Sequence, residues 1–480
     1  ITFQATNHNV VMTGGQLTAT EKVRFDGVDV IVIGGNIQSA TAELIAADDI
    51  SLTKGTIKSA TANLNANGIS DNENNGSAIT ESDGFMLDVD TLQAKAVNAI
   101  SLASKSNQLA DIFVANTMGD VTIYNGNKGN LTLNIAVLNE GAQINGNLLV
   151  HNYDDSGNLT NDIELDKQLK ATGNITIIND EADIDVKAGA ALTAQNITLQ
   201  ANNAPYKVII SGGTLNATST NAEAGVVSLE GNAVELNSGA INAKTTNLTS
   251  NVRITENAGF ALVTPVLNTS TAGVTTIDST SNQLEKVNIL SAGDSVIIGS
   301  ANSKSNNALQ IKTNTPIVGN LTVTNYNDGS ANVNAIVVPT QLYAGGTISL
   351  INEETAIVVD NTASINAKDV VLEATDIDVA GSVTATNDAS LSSDASMTIN
   401  GNVAASRDAN LTAGSGLSVA GKVTATNATT LNAGSITVNG KVETTNEKTT
   451  LTSAEITVNG SVNTTIGTTT LTSASDLTLN

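Results

Sequence analysis

Apolar and polar residues alternate in short runs along this chain, and the runs recur on a fixed beat. In the stretch Gly381 to Asn400, Val383 and Ala385, Ala389 and Leu391, and Met397 and Ile399 each lie two apart. Each pair therefore points to one side of a strand, while Thr384, Ser390 and Thr398 point to the other. Gly, Asn and Asp separate the runs, as corners require. Gly381, Gly401, Gly421, Gly440 and Gly460 fall 20, 20, 19 and 20 residues apart, and Leu391, Leu411, Leu431, Leu451 and Leu471 fall 20 apart throughout. Three short strands per beat predict one coil of a triangular β-helix, repeated in tandem.

The beat is present at the other end too. Gly35 to Leu44 and Gly55 to Leu64 match at seven of ten positions, 20 residues apart. Clear repeats thus cover residues 10–64 and 371–480, and one architecture spanning 1–480 is expected in place of the three domains that length alone suggests. If most of the chain follows this beat, about 24 coils at ~4.8 Å per strand spacing make a rod on the order of 115 Å, an upper bound because insertions consume residues. Between residues 65 and 370 the beat blurs, although strand-like runs recur at 121–124, 131–137, 174–178 and 196–199. Residues 65–84, 151–170 and 300–308 lose alternation and read as loops thrown out from the coils.

Composition fits a thin stacked core. Tryptophan is absent and aromatics are 2% of the chain, so Val, Ile, Leu and Ala must fill the interior. Four prolines suit nearly continuous strands, because each proline removes a ladder donor. A net charge of −25 repels phosphate backbones and anionic membranes, so neither nucleic acid binding nor membrane insertion is expected. There is no cysteine, which excludes disulfides and thiolate metal sites. The chain starts at Ile1 without a methionine or signal peptide, which reads as a processed or excised piece.

Candidate chemistry is sparse. The densest acidic stretch is Asp180 to Asp185, where Asp183 and Asp185 share a strand face and Ile184 points inward. A solvated strand edge is the expectation there, ahead of a catalytic carboxylate pair. The two histidines, His8 and His151, read as an exposed polar residue and a loop-edge residue. Calcium is the stronger ionic candidate, because Asp71 and Glu73, and Asp154 and Asp155, offer carboxylates on glycine-bent loops. Neither group has EF-hand spacing, and polar surface loops are the simpler reading. Asn-x-Ser/Thr sequons recur, among them Asn174 and Asn196. Asparagines at strand ends are expected to stack in ladders, each amide bonded to its counterpart one coil away.

The repeat Gly-x-Val/Ile/Leu-x-Ala/Thr, then x-Leu-x-Ala/Ser, then Ile/Leu-x-Val/Leu-Asn/Ala-Gly resembles that of filamentous-haemagglutinin-type bacterial exoproteins, the exported partners of two-partner secretion. Residues 421–439 and 473–480 carry the likeness best. The resemblance implies an all-β, right-handed parallel β-helix, export through an outer-membrane transporter, an extracellular or cell-surface place, and attachment to host or bacterial glycans or proteins. A structural surface-layer or filament subunit joining end to end is the alternative, and a carbohydrate-active enzyme the third reading. No enzyme activity, and no cofactor beyond the calcium candidates, is expected. The final strand, Leu477 to Asn480, has no polar cap after it, which predicts end-to-end association through its open edge.

Overall fold

The computed structural model describes residues 1–66, 77–116, 118–126, 143–153, 162–218, 225–301, 307–327, 329 and 334–480, with the backbone alone for 133–137. Every regular element among them is a β-strand, and the strands pair in parallel as a β-solenoid of about 21 turns with roughly 20-residue spacing. The chain divides into two compact units, Ile1–Thr249 and Ser250–Asn480.

In the second unit one coil consists of Ser382–Ala385, Ala389–Ser393 and Ser396–Ile399. Val383, Ala385, Ala389, Leu391, Met397 and Ile399 are all buried, as the alternation requires. Each strand pairs with its counterpart in the next coil. Leu391, Leu411, Leu431, Leu451 and Leu471 form one continuous column, with Val383, Val403, Val423, Val442 and Val462 on another face. Stacking like on like is what gives a thin core its native-like packing without large rings.

The glycine column has a steric cause. A Cβ added to Gly421 would lie 1.8 Å from the Gly401 carbonyl oxygen, one coil away, and one on Gly401 would lie 1.8 Å from that of Gly381. That same Gly401 carbonyl accepts a hydrogen bond from the Lys422 N–H at 2.9 Å. The backbones meet here too closely for any side chain, which explains the spacing better than turn conformation does.

In the first unit the coils begin on the same beat and lengthen in the middle. Successive paired positions run Ile50, Ile79, Ile100, Val121, Leu148, Ile175, Ile197 and Val227, at intervals that are unequal and all longer than the beat. This variation blurs the periodicity, although the strands expected from 121, 174 and 196 are present as Val121–Asn125, Ile175–Asn179 and Ile197–Ala201. Leu133–Val137 lies within the run expected at 131–137. Parts of the three expected loops, 67–76, 154–161 and 302–306, lie outside the described residues. The rest corrects the expectation: Ile79–Ala96, Ile163–Leu165 and Gln168–Lys170 are strands. The first was obscured by Glu81, which points inward where the pattern calls for an apolar residue.

That glutamate belongs to a corner found in both units. Glu81 Oε2 accepts from the Ser104 N–H (3.1 Å) and Asn107 Nδ2 (2.7 Å) in the next coil, and Ser104 Oγ donates to the Phe85 carbonyl (2.6 Å). Glu256 Oε2 accepts from the Ser279 N–H (2.8 Å) and Asn282 Nδ2 (2.7 Å), and Ser279 Oγ donates to the Phe260 carbonyl (2.7 Å). One constant offset along the chain carries Glu81 to Glu256, Phe85 to Phe260, Ser104 to Ser279 and Asn107 to Asn282. A nearly equal offset carries Gly146, Asn147, Leu148, Asn152 and Tyr153 to Gly319, Asn320, Leu321, Asn325 and Tyr326. The two units therefore carry a long internal repeat superimposed on the coil beat.

Candidate functional site

The outer surface of the first unit has a concave stretch built by register. Thr18 pairs with Gln38, Gln38 with Lys58, and Lys58 with Asp88, so four successive coils contribute one residue each to a wall. Thr20, Ala40, Ala60 and Asp90, two positions further along each coil, form the opposite side, and Ala19, Ser39 and Ser59 lie between them. The result is an open groove of about 650 Å³. Its strands run unbroken through the bend, as Asn36–Ala46 and Ile50–Ala66.

Both hydrogen-bonding polarities line this groove. Lys58 Nζ lies 2.8 Å from Asp88 Oδ2 in the next coil, and that bond holds the ammonium above its ordinary range. Ser39 Oγ donates to the Thr41 carbonyl (2.8 Å), whereas Ser59 Oγ, in a residue only 7% exposed, has no partner. An unsatisfied buried hydroxyl is costly and calls for an explanation. A smaller depression of about 260 Å³ on the neighbouring face includes Arg24 and Glu43. Lys22 (2.7 Å) and Arg24 (3.1 Å) neutralise Glu43 there, and their hydrogen bonds, that of Lys22 first, lower its pKa.

An aromatic cluster stands elsewhere in the same unit. Tyr124 pairs in register with His151, whose ring stacks on Tyr153 at 3.7 Å, and Tyr124 meets Tyr153 edge-on at 5.3 Å. Lys105 Nζ lies 4.3 Å over the Tyr153 ring, and His151 Nε2 lies 2.9 Å from Asp180 Oδ2. His151 is therefore a strand residue in Leu148–Asn152, and the loop-edge reading is corrected. The second unit carries Gly299 and Thr324 in the corresponding paired positions, and there Tyr326 donates instead to Asp278 Oδ1 (2.6 Å). The cluster is thus not a requirement of the coil geometry. Its signal in the sequence was the pair His151 and Tyr153 two positions apart, but Tyr124 is joined to them only through the length of a whole coil.

The structure treats the other sequence candidates as follows. Asp183 and Asp185 do share the outer face and Ile184 is buried. Their oxygens bond to the next coil, Asp183 Oδ1 accepting from the Lys207 N–H (2.7 Å) and Asp185 Oδ1 from Ser211 Oγ (2.5 Å). Partial burial raises both carboxyls. His8 is exposed. Asp71, Glu73, Asp154 and Asp155 lie outside the described residues, and among the described residues no group of three or more His, Asp or Glu is placed to hold a metal. Among the described residues, too, no helix is long and apolar enough to cross a membrane.

The expected asparagine ladders are present. Asn125 donates to Asn152 and Asn152 to Asn179, each at 2.9 Å and fully buried. Asn196 donates to Asn174 at 2.9 Å, so these two sequon residues are engaged in a ladder. Comparison with protein-family models, characterised proteins and solved structures finds no match to this chain.

Proposed function

We propose that this chain is the repeat region of a filamentous-haemagglutinin-type attachment protein, exported through an outer-membrane transporter and acting without catalysis at the bacterial surface. The observation that carries the reading is the groove across four registered coils, a polar contact surface produced by the repeat itself. A solenoid turns one residue choice per coil into a long column, which suits contact with extended targets. The resemblance of the coil motif supports the same class.

The alternative reading is a filament subunit that assembles through its solenoid. Polystyrene beads coated with the purified chain, offered to bacterial and epithelial cell layers, separate the two. Saturable adhesion by a chain that stays dispersed in light scattering is the expected result. Ordered polymers with no adhesion above an albumin-coated control would overturn the attachment reading in favour of the subunit.

A further inference from the structure

Three features of the groove specify an occupant. Its length runs along the stack, and coils recur every ~4.8 Å, close to the advance of about 5 Å per ring in an extended pyranose chain. Its walls offer the Gln38 amide, the Lys58 ammonium and the Asp88 and Asp90 carboxylates, a mixture of donors and acceptors suited to hydroxyl groups. The Ser59 hydroxyl, buried and unpartnered, lies along it.

Other occupants fit less well. A peptide strand would need free backbone edges, yet the groove strands pair with coils on both sides, Gln38 with Thr18 and Lys58, and Lys58 with Asp88. A polyanion meets a chain of net charge −25 and two groove carboxylates. No aromatic ring lines the groove, so recognition would come from hydrogen bonds to hydroxyls and not from ring stacking.

We propose that the groove binds an extended neutral oligosaccharide laid along the stack, one sugar ring per coil, with Gln38, Lys58, Ser59 and Asp90 meeting its hydroxyls. The proposal deepens the attachment reading and rests on it for its biological meaning, while the binding itself can be measured alone. Calorimetric titration of the full chain with cellohexaose, mannohexaose, xylohexaose, maltohexaose and chitohexaose is the test, with the matching disaccharides and hexagalacturonate alongside.

At least one neutral hexaose is expected to bind, its disaccharide at least tenfold more weakly, and hexagalacturonate not at all. Ala60→Trp, on an exposed wall, should abolish binding with an unchanged circular dichroism spectrum and melting temperature. Lys58→Ala should weaken it roughly tenfold, as loss of a charged hydrogen bond does. Ser59→Ala should weaken binding without lowering thermal stability, because no internal bond is lost; a stability loss with affinity intact would assign the hydroxyl to the fold and overturn its role here. Binding that survives Ala60→Trp, failure of all five hexaoses, or preference for hexagalacturonate would overturn the proposal. Bead attachment that persists in such a case leaves the attachment reading standing, and groove binding without bead attachment overturns that reading alone.

Discussion

Individual residues are constrained here by what lies one coil away. Gly421 is followed in its column by Gly440, and neither backbone can accept a Cβ without displacing the carbonyl beneath it. Gly416 differs, since a Cβ there would meet only Ser435 Oγ, at 3.4 Å. Gly421→Ala should therefore cost several kcal/mol by forcing the coils apart, whereas Gly416→Ala should be neutral within about 0.5 kcal/mol. Urea denaturation of both variants measures this. Equal effects would contradict the steric reading of the column.

The twin buried glutamates make a second prediction of the same kind. Burial pushes Glu81 and Glu256, 6% and 8% exposed, up to about 7, against hydrogen bonds that pull the other way, and Oε1 of each has no partner. The folded chain then holds these protons more tightly than the unfolded chain, whose glutamates titrate near 4.5. Their stabilising contribution is complete below pH ~4.5 and is lost as pH rises through about 7, on the order of 3 kcal/mol per site. Unfolding free energies measured between pH 4.5 and 8 should fall accordingly, and the double variant Glu81→Gln, Glu256→Gln should flatten that slope. An undiminished slope in the variant would assign it to the general negative charge instead.

Among the strands and coils, the sequence was most legible where each coil has the same length. Leu391 to Leu471 announces its column because its partners are evenly spaced throughout, and alternation then places every inward residue. The middle of the chain was harder to read for a physical reason. A coil can lengthen at a corner without disturbing its three strands, so Val121, Leu148 and Ile175 remain partners although the coils between them exceed the beat, and periodicity alone cannot detect this. Inward polar residues concealed the rest. Asn125, Asn152 and Asn179 fill interior positions with mutually bonded amides, and Glu81 does so with a clasp to the next coil. The long internal repeat escaped notice because the coil beat dominates any self-comparison, although Ile79, Thr80, Glu81, Gly84 and Phe85 recur in the same order as Ile254, Thr255, Glu256, Gly259 and Phe260. The groove was half visible: Gln38 and Lys58 stand one beat apart, but Asp88 follows only after a longer coil.

For the chain as a whole, register is the property on which both fold and proposed function depend. A one-residue slip between coils would turn core residues outward and would also break the column from Thr18 to Asp88. The chain contains no cysteine, so paired substitutions report on register without background. Gln38 and Lys58 are exposed partners in adjacent coils, within the spacing a disulfide can bridge, whereas Asn63 pairs with Glu43 on another face. Mild oxidation of the Gln38→Cys, Lys58→Cys variant, read by mass spectrometry of the proteolysed chain, should give an intramolecular disulfide in nearly every molecule, and the Gln38→Cys, Asn63→Cys variant should give none. Failure of the first pair to cross-link, or equal cross-linking of the second, would contradict the stacked register.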